Sequence, residues 1–252
     1  MTWRELAGRL RWWRGGAARY PRYALRLLTR PAQVRLHGVV LDLGADATPA
    51  LRRALYAERY ERGEARCVSL RLAPDDVVLE IGAGAGFLST LCALRIGAER
   101  VTAVEANPAL LPRIRATHAA NGVAPEVVHG VLGRKRGEAE LFVTREFVSS
   151  SLAGRPNAEP VRVPRIAVAE LLRRVAPSFL IVDIEGGEAE LLPEIDWTGV
   201  RKLLLELHPH VIGEARVSEL LRLLAARGFR EERAISSTRK KFFARDPESL
   251  LP

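Results

Sequence analysis

The segment Val77-Val78-Leu79-Glu80-Ile81-Gly82-Ala83-Gly84-Ala85-Gly86-Phe87 constrains this chain more than any other. An apolar strand-like run meets three glycines at alternate positions, and a helix-like run opens at Phe87. Glycine permits positive φ and close approach of other groups to the backbone. In a doubly wound α/β sheet such a turn lies at the carboxyl end of a strand, where ligands bind.

Three details sharpen the turn. The spacing is Gly-x-Gly-x-Gly and then Phe87, so the last glycine of a dinucleotide fingerprint is out of place. Glu80 stands two residues before Gly82, where a carboxylate repels a pyrophosphate and attracts the ammonium or sulfonium of a methionine-derived ligand. Glu105 ends the next strand-like run, where an acid can accept hydrogen bonds from ribose hydroxyls. The expected cofactor is therefore S-adenosylmethionine, with NAD or flavin as the competing ligand. A turn that serves helix–strand packing alone is the bland alternative. The expected cofactor contacts are Glu80, Gly82, Ala83, Gly84, Gly86, Phe87, Glu105, Ala106, Asn107 and Val131.

From Asp76 onward strands and helices alternate, the pattern of a parallel sheet. Strands are expected at 77–81, 101–105, 126–131, 179–184 and 202–207, with an extra one at 140–144. Helices are expected at 86–95, 108–121, 167–175, 188–194 and 218–227. Runs 230–235 and 240–244 form a hairpin that adds antiparallel strands. Upstream, 34–43 reads as a hairpin turning at His37-Gly38. Thr48-Pro49 reads as the N-cap and first position of a helix to about Arg62, and 68–73 as a connector.

Charge divides the chain. Residues 1–30 hold eight arginines and one acid, a net +7 out of +9 for the whole chain. Trp3, Leu6, Leu10 and Trp13 share a helical face among these arginines. Residues 1–33 thus read as a basic leader, either packed on the domain or in peripheral contact with an anionic membrane. The remainder, 34–252, reads as one domain: hairpin and helix at 34–75, then the α/β core at 76–252. Its near-neutral charge weighs against nucleic acid as the partner. Cys67 and Cys92 lack metal-ligand spacing, and a reducing, cytoplasmic setting is the expectation. No apolar run reaches the ~18 residues of a membrane span.

Further on stands Phe179-Leu-Ile-Val-Asp183-Ile-Glu185-Gly186-Gly187-Glu188-Ala-Glu-Leu-Leu. With the glycine turn it resembles the FkbM family of methyltransferases, whose fourth strand reads as an apolar run, Asp-x-Glu-Gly-x-Glu and a leucine-rich helix. Tyr60-Glu61, the stretch from Val128 to Gly133, Gly137 to Leu141, Ser149-Ser150-Ser151-Leu152 and Leu205-Glu206-Leu207-His208-Pro209 resemble further family segments in the same order. The resemblance covers roughly residues 34–245. Glu80 stands where the family more often has Asp, Ala85 where Asn is common, and His129 replaces a frequent Asn. The resemblance implies a seven-stranded, mostly parallel sheet with a reversed final strand. It also implies O-methylation, often of hydroxyls on sugars, glycans or secondary metabolites.

Methyl transfer to an alcohol needs in-line alignment and a base within reach of the hydroxyl. Asp183 and Glu185, two apart at a strand end, are expected to point into one crevice. One can act as base while the other orients the acceptor, or both can share a divalent cation. His208 is a third candidate for catalysis, since its ordinary pKa of about 6.5 suits a base. Ser149, Ser150, Ser151, Glu188 and Glu206 are candidate substrate contacts. For Glu188, stabilisation of the following helix is the competing role. His118, His129 and Cys92 read as structural. RNA or protein methylation is the alternative reaction, disfavoured because Asp-Ile-Glu-Gly replaces an Asn-Pro-Pro-Tyr-type motif. A non-catalytic binding protein would be expected to have lost the glycines or acids.

Overall fold

The computed structural model describes residues 19–44, 47–143, 150–151 and 159–245. Before the glycine turn come α1 (Arg19–Thr29), β1 (Gln33–Leu36), β2 (Val39–Asp42), α2 (Pro49–Tyr56) and α3 (Arg62–Arg71). The core begins with β3 (Val78–Ile81), α4 (Phe87–Ile96), β4 (Val101–Glu105), α5 (Leu111–Ala120) and β5 (Glu126–His129). Then follow β6 (Val131–Gly133), β7 (Gly137–Val143), β8 (Ser150–Ser151), β9 (Glu159–Ala167), α6 (Val168–Val175) and β10 (Phe179–Val182). The chain continues through α7 (Glu188–Leu191), β11 (Lys202–Glu206), α8 (Pro209–Ile212), α9 (Glu214–Ala226), β12 (Arg230–Glu231) and β13 (Lys240–Ala244).

Seven strands form one sheet in the order β12-β13-β11-β10-β3-β4-β5. β11, β10, β3, β4 and β5 pair in parallel, and β13 runs antiparallel between β11 and β12. This is the seven-stranded, mostly parallel sheet with a reversed final strand that the resemblance implied. Strands buried on both faces read as unbroken apolar runs. Phe179 and Ile181 of β10 join a core with α2, α3, α4 and the β1–β2 hairpin. Leu180 and Val182 join the opposite core with α6 and α9. The chain winds outward from β3 through β4 and β5, then returns to β10 on the other side. The crevice beside the ends of β3 and β10 is thus the topological switch point.

Several sequence expectations need correction. The helix from Pro49 ends at Tyr56, because Glu58 and Glu61 both adopt left-handed backbone conformations. The expected connector at 68–73 belongs largely to α3, which buries Ala65, Cys67 and Val68 in the core. The strand expected at 126–131 is split at Gly130, where a Cβ would lie 2.6 Å from the Pro164 carbonyl oxygen. β9 was not expected, since Pro160 and Pro164 argue against a strand interior. It nevertheless joins β6, β7 and β8 in a second, four-stranded sheet.

Of the leader, residues 1–18 lie outside the described residues, and with them Trp3, Leu6, Leu10 and Trp13. α1 docks on the domain: Arg26 donates to the Tyr56 carbonyl at 2.9 Å and pairs with Glu58 at 3.0 Å. No helix among the described residues is long and apolar enough to cross a membrane.

Candidate active site

The glycine turn does two jobs. A Cβ on Gly82 would sit 1.8 Å from the Asp183 carbonyl oxygen, and one on Gly86 would sit 3.0 Å from Ile114. Those two glycines let β3 approach the end of β10 and α4 approach α5. Gly84 differs: its Cβ would meet the Tyr60 hydroxyl at 3.5 Å, in ordinary contact. Gly84 faces a cavity of about 650 Å³ at the switch point. That size is within the range of small-molecule sites, about 300–1,000 Å³.

Glu105 fixes one side of this cavity. Its Oε2 accepts from the Gly84 amide at 2.9 Å and its Oε1 from the Asn107 amide at 2.8 Å. Burial raises its pKa, and the amides of Asn107, Gly84 and Ala106 oppose that rise. Each carboxylate oxygen can still accept another hydrogen bond, as a ribose diol requires.

The expected cofactor residues divide by position. Gly82, Gly84, Glu105, Ala106 and Val131 line the cavity. Ala83, Gly86, Phe87 and Asn107 are not on its wall; Ala83, Phe87 and Asn107 are buried behind it, and Asn107 caps the next turn through Ala109. Glu80 lines a small annex together with Glu61, Asp183, Glu206 and Lys240. Burial, first, and then Glu61 push the Glu80 carboxyl well above its ordinary range, and its Oε2 has no hydrogen-bond partner.

Acidic groups crowd the other end. Asp183, Glu185 and Glu206 line the cavity beside Glu61 and Glu64. β10 stops at Val182, and Glu185 takes φ 50°, so a turn rather than strand alternation brings Asp183 and Glu185 together. Burial and the charges of Glu206, Glu61 and Glu185 push Asp183 well above the carboxylate range. Its side chain is open to the cavity, whereas Oδ1 is buried. Burial also raises Glu206, although His208 and Arg239 pull it down. Burial raises Glu61 to about 7, against a hydrogen bond from Tyr60 and the charge of Lys240.

Glu64, Lys240 and Arg239 at this end were not expected from sequence. Lys240 pairs with Glu64 and lies 3.4 Å from Glu206. Its only available signal was register: β11 and β13 place Glu206 opposite Lys240. Arg239, its neighbour, pairs with Glu206 at 3.0 Å.

His208 is fully buried behind the acids and is not on the cavity wall. Its Nδ1 lies 3.2 Å from Glu188 Oε1, and its Nε2 lies 3.7 Å from both Asp183 Oδ1 and Glu185 Oε2. Glu188, expected as a substrate contact, is turned away from the cavity. It also accepts from the amides of His208 and Gly186, both at 2.8 Å. Burial acts to raise its pKa, but the hydrogen bond to the His208 side chain, backbone amides and the His208 charge hold it below its ordinary value. Ser149 lies outside the described residues, and Ser150 and Ser151 form β8 against Val143 and Phe142. His118 meets Ser89 at 3.1 Å, and His129 meets the Ala106 carbonyl at 3.2 Å, both structural roles. Cys92 is buried in α4.

The methyltransferase FkbM domain matches residues 80–231, more than half of the chain. The chain belongs to the FkbM methyltransferase family. No curated protein matches it. Among solved structures, it is similar to precorrin-6y C5,15-methyltransferase from Geobacter metallireducens GS-15, at 16% identity and TM-score 0.44, over 73% of this chain and 85% of that one. It is similar to M. jannaschii TYW2 in complex with AdoMet, at 11% identity and TM-score 0.43, over 84% and 85%. It is also similar to the O-methyltransferase from Bacillus cereus in complex with SAH, at 12% identity and TM-score 0.42, over 73% and 80%.

This FkbM methyltransferase uses S-adenosylmethionine as its methyl donor. The residues present fit that cofactor. Glu105 offers acceptors where a nucleoside diol needs them, Gly84 presents bare backbone, and the buried orphan oxygen of Glu80 suits an ammonium group.

Proposed function

We propose that this methyltransferase transfers its methyl group to a hydroxyl of a sugar, glycan or secondary metabolite. The observation that carries the reading is the carboxyl-lined end of the cavity, with Asp183, Glu185 and Glu206 on its wall. Carboxylates in a partly dry cavity accept hydrogen bonds from hydroxyls, and a polyhydroxyl acceptor supplies several.

S-adenosylmethionine supplies an electrophilic methyl group when bound. Glu105 and the Gly84 backbone would hold its nucleoside, and Glu80 and Glu61 would hold its amino-acid end. Asp183 and Glu185 orient the acceptor oxygen. The Asp183–Glu206 pair takes up the hydroxyl proton: burial raises both carboxyls above their ordinary range, which makes them stronger bases. Glu188 and His208 hold the shape of this end from behind.

The test is to incubate the protein with S-adenosylmethionine and a panel of sugars, glycans and polyketide alcohols, alongside RNA and protein acceptors. Mass spectrometry would show one added methyl on a hydroxyl, and Asp183→Asn would lower turnover by roughly 10²-fold or more. Transfer only to an amine, to RNA or to protein would reject the hydroxyl reading.

A further inference from the structure

We propose that Asp183, Glu185 and His208 form a divalent-cation site at the acceptor end of the cavity, with the ligand chemistry of Mn2+. The inference deepens the reading of that end as the acceptor site, but cation binding is measurable without any acceptor.

The geometry comes first. One ligand atom from each of Asp183, Glu185 and His208 lies within 4.8 Å of the other two. The imidazole nitrogen is 3.7 Å from each carboxylate oxygen. Metal–ligand bonds of about 2.1 Å at the right angles of an octahedral site separate neighbouring ligands by about 3.0 Å. The carboxylates, which end flexible side chains, would close in on the imidazole to complete the set.

The second observation is an orphaned pair of buried atoms. His208 is fully buried, yet its Nε2 has no hydrogen-bond partner. Asp183 Oδ1 is also buried without one. Buried polar atoms are rarely left unsatisfied, and each such case needs an explanation such as an ion. A cation between them satisfies both at once. Two described cations at this end are directed to other carboxylates: Arg239 pairs with Glu206, and Lys240 pairs with Glu64.

The third observation is the shell behind the imidazole. Glu188 Oε1 lies 3.2 Å from His208 Nδ1, and the same carboxylate accepts from the His208 and Gly186 amides. A carboxylate on the far nitrogen fixes the tautomer that leaves Nε2 as a lone-pair donor, the usual arrangement around a metal-bound histidine. The fully buried Glu188 thereby gains a role beyond its helix terminus.

Two carboxylates and one imidazole carry a charge of −2 when the imidazole is neutral, which balances a divalent ion. Carboxylates suit Mg2+, Ca2+ and Mn2+, and imidazole suits the later first-row metals, so the mixed set favours Mn2+. Asp183 and Glu185 line the cavity and His208 lies behind them. The remaining coordination positions therefore point toward the cavity, where water or two neighbouring acceptor hydroxyls would complete the shell.

The decisive experiment uses the full-length protein stripped with EDTA and titrated with Mn2+ alone, followed by electron paramagnetic resonance. One equivalent should bind saturably, with nitrogen hyperfine coupling from the imidazole. Asp183→Asn should weaken binding at least tenfold, Glu188→Gln should weaken it by about 10–100-fold, and His208→Gln should abolish the nitrogen coupling. Circular dichroism melts identify variants that fail to fold, and the isosteric Asp183→Asn is the one to rely on if His208→Gln does. Absence of saturable binding, a bound ion without nitrogen coupling, or unchanged affinity in folded Asp183→Asn would overturn the site. Mn2+ bound at this site without methylation of any hydroxyl would uphold the site and reject the acceptor reading.

Discussion

The Glu105 carboxylate holds the Gly84 amide at 2.9 Å, so the end of β4 clamps a glycine of the turn that faces the cavity. This bond makes cofactor binding and turn geometry depend on the same side chain. Glu105→Ala should reduce affinity for S-adenosylhomocysteine by about 10²-fold or more, as expected when two or more hydrogen bonds to a charged acceptor are lost at about 1.5–3 kcal/mol each. Calorimetric titration measures it; unchanged affinity would place the nucleoside elsewhere.

Gly82 and Gly84 should respond differently to alanine. At Gly82 the new methyl would meet the Asp183 carbonyl at 1.8 Å, and the backbone must move. We expect about 3 kcal/mol or more of destabilisation, beyond the usual range for overpacking because the obstacle is main chain. Gly84→Ala meets only the Tyr60 hydroxyl at 3.5 Å. Its left-handed φ should cost about 1–2 kcal/mol, with a folded protein that binds cofactor more weakly. Urea melts of both variants check the contrast, and equal losses would contradict it.

Asp76 and Lys202 form a buried pair at 2.6 Å, at the amino ends of β3 and β11 and so at the opposite edge of the sheet from the acid cluster. Asp76 also accepts from Ala73 and Ser178, and Lys202 donates to the Arg71 carbonyl. Lys202→Met leaves the buried carboxylate with Arg201, 3.2 Å from its other oxygen, and should cost about 3 kcal/mol. A loss under about 1 kcal/mol in a denaturant titration would show that the pair's worth is nearly cancelled by desolvation.

His118 sets a pH dependence. Burial pushes its pKa from 6.5 down to about 4, so the unfolded chain binds a proton that the folded chain refuses. Its contribution is fully present above about pH 6.5 and falls as pH drops toward 4, by at most about 3 kcal/mol. Glu61 acts oppositely. Its pKa of about 7 lies above the ordinary 4.5, so its contribution falls as pH rises between those values. The stability difference between wild type and His118→Gln isolates the first effect. That difference should shift against wild type as pH drops, and a constant difference from pH 7.5 to 4 would refute it.

Much of the fold was legible because its signals are local. The apolar runs at β3, β4, β10 and β11 were readable since strands covered on both faces carry unbroken hydrophobic sequence. The turn at Gly82–Gly86 and the cap at Thr48-Pro49 were readable since each depends on a few adjacent residues. α3 escaped because its apolar face is short and follows a left-handed break at Glu61. β9 escaped because its prolines argue against a strand and its pairing with β7 and β6 spans 16 to 34 residues of sequence.

For the site, the sequence by itself determined the inventory: glycines after β3, an acid after β4, and Asp183 and Glu185 after β10. Chain position fixes these, because parallel crossovers bring every strand's carboxyl end to the same edge. Only the tertiary structure decided their use. Antiparallel register set Lys240 opposite Glu206, a left-handed turn at Glu185 aimed its carboxylate beside Asp183, and Glu188 turned inward to lock His208 behind them. Those relations join residues on different elements, so they follow from packing and hydrogen bonding across the sheet and not from local sequence.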